Sequence, residues 1–189
     1  MSFDPETSAG ETDLDSPAAR LGSLRAELSR RGLDGFIVPL FDEFQGEYIP
    51  PHRQRLKWLT GFTGSAGSAV IMADKAVLFV DGRYTVQARE QVSTELYDHQ
   101  KVPKTTVAKW LGANIGGGDR IGYDPWLHAP DAVKEFAKAV KNAGGSLIAV
   151  EDNPIDAVRP DIPPPPLTPM IIHDMAYCGR SSADKRGAL

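Results

Sequence analysis

The sequence predicts an α/β protein, a three-layer α/β/α sandwich built on a mixed sheet. Short apolar runs typical of buried strands alternate along the chain with segments of helical periodicity, which indicates a sheet covered by helices. Two of these runs, 68–72 and 76–80, are separated by only three residues. They are expected to form a hairpin, so that part of the sheet is antiparallel.

The first elements are a helix, a strand and a long polar loop. Ser16 is placed to cap a helix whose first turn contains Pro17, and Gly32 lies where a left-handed C-terminal cap belongs. A buried strand is expected at 35–40. Its Pro39 favours the end of the strand, because proline donates no hydrogen bond to a sheet. The polar stretch that follows is not expected to form a helix.

The remaining elements continue the alternation. Helices are expected at 53–59, 84–92, 106–111 and from Pro130 to Gly144-Gly145, and strands are expected at 95–102, 120–123 and 146–150. The buried face of the helix that Pro130 opens is expected to consist of Val133, Phe136, Ala137 and Val140. Trp58, in the first of these helices, and Trp126, in the loop after 120–123, are both predicted to be core side chains.

Composition divides the chain into four regions. Residues 1–15 are acidic and polar, and a disordered tail is expected because they bury too little apolar surface to offset chain entropy. The folded domain is expected at 16–158. Residues 159–170 contain a run of prolines typical of a semi-rigid linker. Residues 171–189 are interpreted as the truncated start of a second domain.

Charge and hydropathy disfavour several classes of partner. The net charge is −4, and residues 1–15 contain five acidic and no basic residues, so the rest of the chain has a net charge of −4 − (−5) = +1. A nearly neutral body has no broad basic field for nucleic acid. The local basic run from His52 to Lys57 is predicted to be a solvated surface. No apolar stretch is long enough to span a membrane. The single cysteine, Cys178, fits a reducing compartment, and a cytoplasmic protein is expected.

Residue types suited to catalysis are scattered. The four histidines and the cysteine are not paired at metal-binding spacing, so no metal site is expected in this chain. The glycine-rich run 61–67 leads into a strand and lacks the lysine of a phosphate-binding loop, which predicts a structural turn. Its Ser65 has no basic residue at a recognisable spacing to activate it. Capping or turn roles are expected for the single carboxylates Asp81, Asp124 and Asp131.

A better candidate for function is Arg83, within Asp-Gly-Arg-Tyr at 81–84. It lies on a predicted strand-to-helix turn, and loops positioned by a rigid sheet often carry binding residues. Its planar guanidinium suits a carboxylate or a peptide carbonyl. Arg83 is therefore a candidate binding residue. The alternative is an intramolecular ion pair with Asp81 or Glu90 that holds the turn.

Two motifs, Leu-Thr-Gly-Phe-Thr-Gly-Ser-Ala-Gly at 59–67 and Asp-Gly-Arg-Tyr at 81–84, together carry a family resemblance. With Gln-Gly-Glu-Tyr at 45–48, the sequence resembles the N-terminal domain of aminopeptidase P, the Xaa-Pro aminopeptidase of the creatinase/prolidase group. The resemblance extends over residues 17–185 and implies the same three-layer fold.

The resemblance also implies the activity of an intact parent protein. That protein would be a metal-dependent hydrolase that removes an N-terminal residue preceding proline, with two divalent metal ions, manganese being the expected metal, in a C-terminal catalytic domain. None of those ligand positions is present, so no catalytic or metal-binding residue is assigned and the chain alone is expected to be inactive. Its implied partners are its own catalytic domain, further copies in a homo-oligomer, and a peptide with proline at position two.

The resemblance implies roles for several residues of this chain and leaves alternatives open. Arg83 matches the motif arginine that can reach the substrate end of the active-site channel. Gln45, Glu47 and Tyr48 form a second substrate-binding group, although Phe44 stands where family members often carry histidine, and structural packing of Tyr48 is favoured over function. The N-terminal domain of a prolidase or creatinase, and a stand-alone binding or assembly module, are the alternative functions.

Overall fold

The structure, a computed structural model, describes residues 16–189 and contains a mixed six-stranded sheet. The predicted disordered tail at 1–15 lies outside the described residues. The strands are β1 (Gly35–Pro39), β2 (Gly67–Met72), β3 (Ala76–Asp81), β4 (Asp98–Val102), β5 (Arg120–Tyr123) and β6 (Ser146–Ala149). The helices are α1 (Pro17–Arg30), α2 (Arg55–Thr60), α3 (Thr85–Gln91), α4 (Val107–Asn114), α5 (Pro130–Asn142), α6 (Pro154–Val158), α7 (Met175–Cys178) and α8 (Ser182–Gly187), and single 3-10 turns lie at Pro51–Arg53, Gly82–Tyr84 and Pro125–Leu127.

The strand order β4-β3-β2-β1-β5-β6 places five strands in one direction. β2 runs antiparallel to both β1 and β3, as the predicted hairpin requires, whereas the β3–β4, β1–β5 and β5–β6 pairs are parallel. The last residues of those five strands therefore lie along one edge of the sheet, here called the carboxyl edge. Ligands of open α/β sheets bind in crevices outside the carboxyl ends of the strands.

Both faces of the sheet are covered by helices, which confirms the three-layer fold. On β3, Leu78 packs in the cluster formed with α1, α2, α3 and α6, while Val77 and Phe79 pack against α4 and α5. Alternate strand residues point to opposite faces, so a strand buried on both sides is a continuous apolar run. Each fully buried Leu, Ile or Phe stabilises the fold by roughly 1.5–3 kcal/mol.

The predicted cap and stop of α1 are confirmed, and β1 is one residue shorter than predicted. The Ser16 hydroxyl accepts a hydrogen bond from the Ala19 N–H at 3.2 Å, and Gly32 follows the helix with a φ of +66°. β1 ends at Pro39, and at the last position of a strand the missing N–H of proline interrupts no later hydrogen bond of the sheet.

Among the helices and their turns, two predictions about burial are wrong and a third is wrong in part. Ala137 is exposed, because the apolar stripe of α5 runs through Phe136 and Val140 and is rotated one residue away from it. Trp126 is 72 % exposed, because Leu127 is the residue of its 3-10 turn that enters the core. The basic run at 52–57 is a solvated face only in part: Lys57 is exposed, whereas Arg55 is buried at the start of α2 beneath α6.

The C-terminal segment contributes little to either core cluster. Its large apolar side chains at Leu167, Met170, Ile171 and Ile172 are almost fully exposed. The short helices α7 and α8 are preceded by Asp174 and Ser181, whose side chains cap them. The division of the chain into domain, linker and second-domain start stays a prediction. None of the helices in residues 16–189 is long and apolar enough to cross a membrane.

Candidate functional site

The candidate substrate-binding residues all lie at the carboxyl edge. Gln45, Glu47 and Tyr48 belong to the loop that follows β1, and Arg83 belongs to the turn that follows β3. The amino end of β2 lies beside them, because Pro39 pairs with Ser68 and Gly67 pairs with Val80. The glycine-rich run before β2 therefore faces the same edge.

The turn at Arg83 is held by Asp81. One Asp81 oxygen accepts a hydrogen bond from the Arg83 backbone N–H at 2.9 Å, and the other accepts from Nη2 at 2.6 Å. The side-chain hydrogen bonds of Arg83 lower the pKa of Asp81, and the same bonds raise the pKa of Arg83. The ion pair with Asp81, the alternative to a binding role for Arg83, is thus present. The Arg83 side chain nevertheless remains 70 % exposed, so it is accessible to a ligand.

Tyr84 joins the two sequence motifs. Its hydroxyl hydrogen-bonds the Ser65 hydroxyl at 2.8 Å, which lowers the pKa of Tyr84, and its ring packs edge-on against Phe62. A Cβ added at Gly64 would lie 2.7 Å from the Tyr84 ring and closer still to Phe62. The absence of a side chain at Gly64 lets the glycine-rich run approach the turn. We call the group Ser65, Asp81, Arg83 and Tyr84 the motif site.

The loop after β1 is shaped by a buried carboxylate. Asp42 accepts hydrogen bonds from the backbone N–H groups of Phe44 and Gly46 at 3.0 and 3.3 Å. Between them Gln45 adopts a φ of +53° and donates from its side-chain amide to the Asp42 carbonyl at 3.1 Å. Gln45 is thereby committed to the loop's own structure.

Glu47 and Tyr48 approach the motif site, unlike Gln45. Both line a cavity of about 250 Å³ that is also lined by Lys57, Thr63 and Ser65. Glu47 also makes a small contribution to the raised pKa of Arg83, after the larger ones from Asp81 and Tyr84. The predicted packing of Tyr48 is wrong: the side chain is 89 % exposed, because none of the described elements covers this loop.

A second cavity, of about 600 Å³, opens at the same edge over β1, β5 and β6. We call it the groove, and its lining includes Arg53, Arg55, Trp126, Glu151, Asp152 and Asp156. Arg55, 5 % exposed, donates from Nε and Nη2 to the Asp156 carboxylate at 2.8 and 2.6 Å. The sequence analysis missed this pair because the two residues are 101 positions apart and neither lies in a motif.

Asp124 organises the wall of the groove. It is buried, accepts from the Trp126 N–H at 3.0 Å, and accepts from the Asn153 amide at 2.9 Å. The expected turn role of Asp124 is therefore present, whereas Asp131 is exposed on α5 and pairs with Lys134.

The histidines remain separate, and residues 16–189 contain no group of three or more His, Cys, Asp or Glu side chains that could hold a metal ion. His128 packs edge-on against Tyr123 and Phe136, and its burial lowers its pKa to about 4. A neutral histidine in an aromatic cluster has a packing role.

Comparison with known proteins shows which family this chain resembles. Residues 20–160 match the model of the Creatinase/Prolidase N-terminal domain. Xaa-Pro aminopeptidase 2 of Homo sapiens is 34% identical over 166 residues, which cover 87% of this chain and 25% of that protein. A probable Xaa-Pro aminopeptidase P of Aspergillus niger is 37% identical over 169 residues, covering 88% of this chain and 28% of that protein. The chain thus spans about a quarter of the length of the curated relatives it matches.

A solved structure supports the same comparison. The X-prolyl aminopeptidase of Caenorhabditis elegans, described as a cytosolic enzyme with a di-nuclear active site, superimposes with a TM-score of 0.84 at 28% sequence identity. The match covers 92% of this chain and 30% of the nematode enzyme. It extends over nearly all of the described fold.

Proposed function

The chain belongs to the creatinase/prolidase N-terminal domain family, and we propose that it acts as the non-catalytic N-terminal domain of a metal-dependent Xaa-Pro aminopeptidase. The intact enzyme would remove an N-terminal residue that precedes proline. The observation that carries this proposal is the similarity to Xaa-Pro aminopeptidases over almost the whole chain and a quarter of their length.

Within that enzyme, the motif site would face the peptide substrate. Arg83 is suited to this role because Asp81 fixes the turn while the guanidinium stays exposed. Its remaining N–H donors can bind a peptide carbonyl or a terminal carboxylate. Glu47 and Tyr48 would add contacts from the cavity beside it. Gln45 would support the loop rather than touch the peptide.

The proposal for the intact enzyme includes two catalytic metal ions. Two divalent ions, with manganese as the expected metal, would activate a water for attack on the peptide carbonyl. Residues 16–189 offer no side-chain group that fits such ions, so no chemical step is assigned to them. The domain would shape access to the channel and support assembly of a cytoplasmic homo-oligomer with the catalytic domain.

The test is the intact mass and activity of the native protein, captured from its source cells with an antibody against residues 16–158. We expect a mass several times the 20.5 kDa of these 189 residues, and hydrolysis of peptides with proline at position two that a chelator abolishes. A mass near 20.5 kDa would contradict the proposal and favour a stand-alone module. Cleavage of Xaa-Pro dipeptides alone, or of creatine, would instead assign a prolidase or a creatinase.

A further inference from the structure

The segment that leads from β6 to the predicted linker is fixed to two other parts of the fold. The Asp156 carboxylate on α6 accepts from Arg55 of α2 at 2.8 and 2.6 Å. The side-chain amide of Asn153, at the start of α6, donates to Asp124 after β5 at 2.9 Å. Arg159, directly after α6, is the last buried residue of the chain. The chain is therefore held in place up to the first residue of the predicted linker.

The Arg159 side chain extends this fixation into the linker. Its Nη1 and Nη2 groups donate to the Pro51 carbonyl at 3.5 and 3.4 Å, and its Nε lies 3.5 Å from a carboxylate oxygen of Asp161. The side chain of Arg159 is only 7 % exposed, whereas that of Asp161 is 67 % exposed. Arginine is almost never so buried without a partner. One guanidinium thus joins the loop after β1 to the start of the linker.

The chain beyond Asp161 is suited to transmit a direction. Residues 163–166 are four consecutive prolines. Proline-rich segments adopt an extended polyproline helix that stays stiff over several residues. Because a stiff segment continues in the direction of its first residues, a fixed start at Arg159 sets the path along which the chain leaves the domain.

The other end of this contact lies in the loop that carries candidate substrate-binding residues. Pro51 is three residues after Tyr48, and both lie between Glu43 and Arg53. Glu43 and Arg53 form an ion pair at 2.8 Å, which closes the loop on itself. A contact at Pro51 therefore bears on the position of the whole loop.

We propose that Arg159 is a positioning residue that ties the start of the linker to the loop after β1. By holding Pro51 and Asp161 with one guanidinium, it sets the direction of the linker and the position of Glu47 and Tyr48 together. The direction of the linker is a property of this chain alone. The effect on substrate contact rests on the proposed function, in which the catalytic domain follows the linker.

The first test measures the direction of the linker in the chain itself. Nitroxide labels at Thr168→Cys and Lys138→Cys, in a Cys178→Ser background, report the distance from the end of the prolines to the exposed face of α5 by double electron–electron resonance. We expect one narrow peak in this parent chain. Arg159→Ala should widen the distribution at least about twofold, because the stiff segment then pivots about an unfixed start. Arg180→Ala, an exposed arginine beyond the label, is the matched control and should leave the width unchanged.

Two further variants keep this test decisive if Arg159→Ala does not fold. Replacing the four prolines at 163–166 with glycine gives the width of a flexible linker. Asp161→Ala removes only the exposed partner of Arg159, and it should widen the distribution without loss of circular dichroism signal. The proposal is overturned if the parent chain is as broad as the glycine variant, or if both Arg159→Ala and Asp161→Ala are as narrow as the parent.

The second test concerns the loop and uses the full-length enzyme. Arg159→Ala should raise KM for a peptide with proline at position two by about threefold to tenfold with little change in kcat, because it disturbs a binding loop and leaves the metal centre intact. In Arg159→Ala/Tyr48→Ala the two losses should be less than additive, since Arg159 acts through the loop that carries Tyr48. Additive losses, or a lower kcat at unchanged KM, would overturn the coupling to the loop. An enzyme that cleaves no such peptide would contradict the proposed function, and the distance measurement would still decide the role of Arg159 in the linker.

Discussion

The motif site and the groove share the carboxyl edge but are assembled in different ways. The motif site comes from two short sequence motifs 59–67 and 81–84, and its ion pair between Asp81 and Arg83 is local and exposed. The groove draws on segments from Arg31 to Ala157, and its ion pair between Arg55 and Asp156 spans the fold with a buried arginine. The motif site is therefore held by an ion pair between neighbours in the sequence, whereas the groove is held by an ion pair between residues that are far apart in the sequence.

The largest expected difference between the two sites is in stability. Arg55→Ala removes a buried side chain and leaves the partly buried carboxylate of Asp156 without its partner, and we expect it to lower the free energy of unfolding by roughly 3 kcal/mol. Arg83→Ala removes an exposed pair of similar geometry and should leave that free energy nearly unchanged. Urea unfolding followed by circular dichroism measures both. Equal losses for the two variants would contradict the contrast between a structural and an accessible ion pair.

A second test concerns packing within the motif site. Gly64→Ala places a Cβ against the rings of Phe62 and Tyr84, and we expect a loss of about 1–3 kcal/mol in the free energy of unfolding. Gly82→Ala, in the same site, meets no atom within 4 Å and is the matched control. Thermal denaturation compares the two. If Gly64→Ala is as stable as the control, the close approach of the motifs is not required.

The third test is functional and rests on the proposed peptidase. In the full-length enzyme, Arg83→Ala should lower kcat/KM for a peptide with proline at position two by about tenfold, the order of effect of one charged hydrogen bond. Arg30→Ala is the control, because Arg30 is also 70 % exposed and ion-paired, yet lies at the end of α1 and belongs neither to the motif site nor to the cavity lined by Glu47 and Tyr48. An unchanged kcat/KM for Arg83→Ala would remove Arg83 from the substrate site.

The smallest expected effect is a titration. The pKa of Asp81 is lowered by its hydrogen bonds to Arg83, so its carboxylate stays ionised to a pH below its ordinary value of 3.8. Because the folded pKa is lowered, the pair contributes stability above about pH 4 and loses it as the pH falls through the lowered pKa. Carboxyl NMR should report a midpoint that returns toward 3.8 in Arg83→Ala. A midpoint that does not move would mean that Arg83 is not the cause.

Local sequence signals predicted much of the fold and part of the motif site. The cap at Ser16, the stop at Gly32, the hairpin of β2 and β3 and the turn at Arg83 depend on neighbours within a few residues, and each is present in the structure. The errors occurred where burial depends on a rotation or on a distant partner. Trp126 and Ala137 were both predicted to be buried, but the adjacent residues Leu127 and Phe136 are buried instead.

By itself, the sequence determined the order of the elements, the fold class and the two motifs, because periodicity, caps and turns are local properties of the chain. The tertiary structure decided which loops meet at the carboxyl edge. Only the folded chain brings Ser65 to Tyr84 and Arg55 to Asp156, and only folding buries Arg55 while exposing Trp126. The physical reason is that ion pairing and burial depend on distance in space, which the order of residues along the chain does not specify.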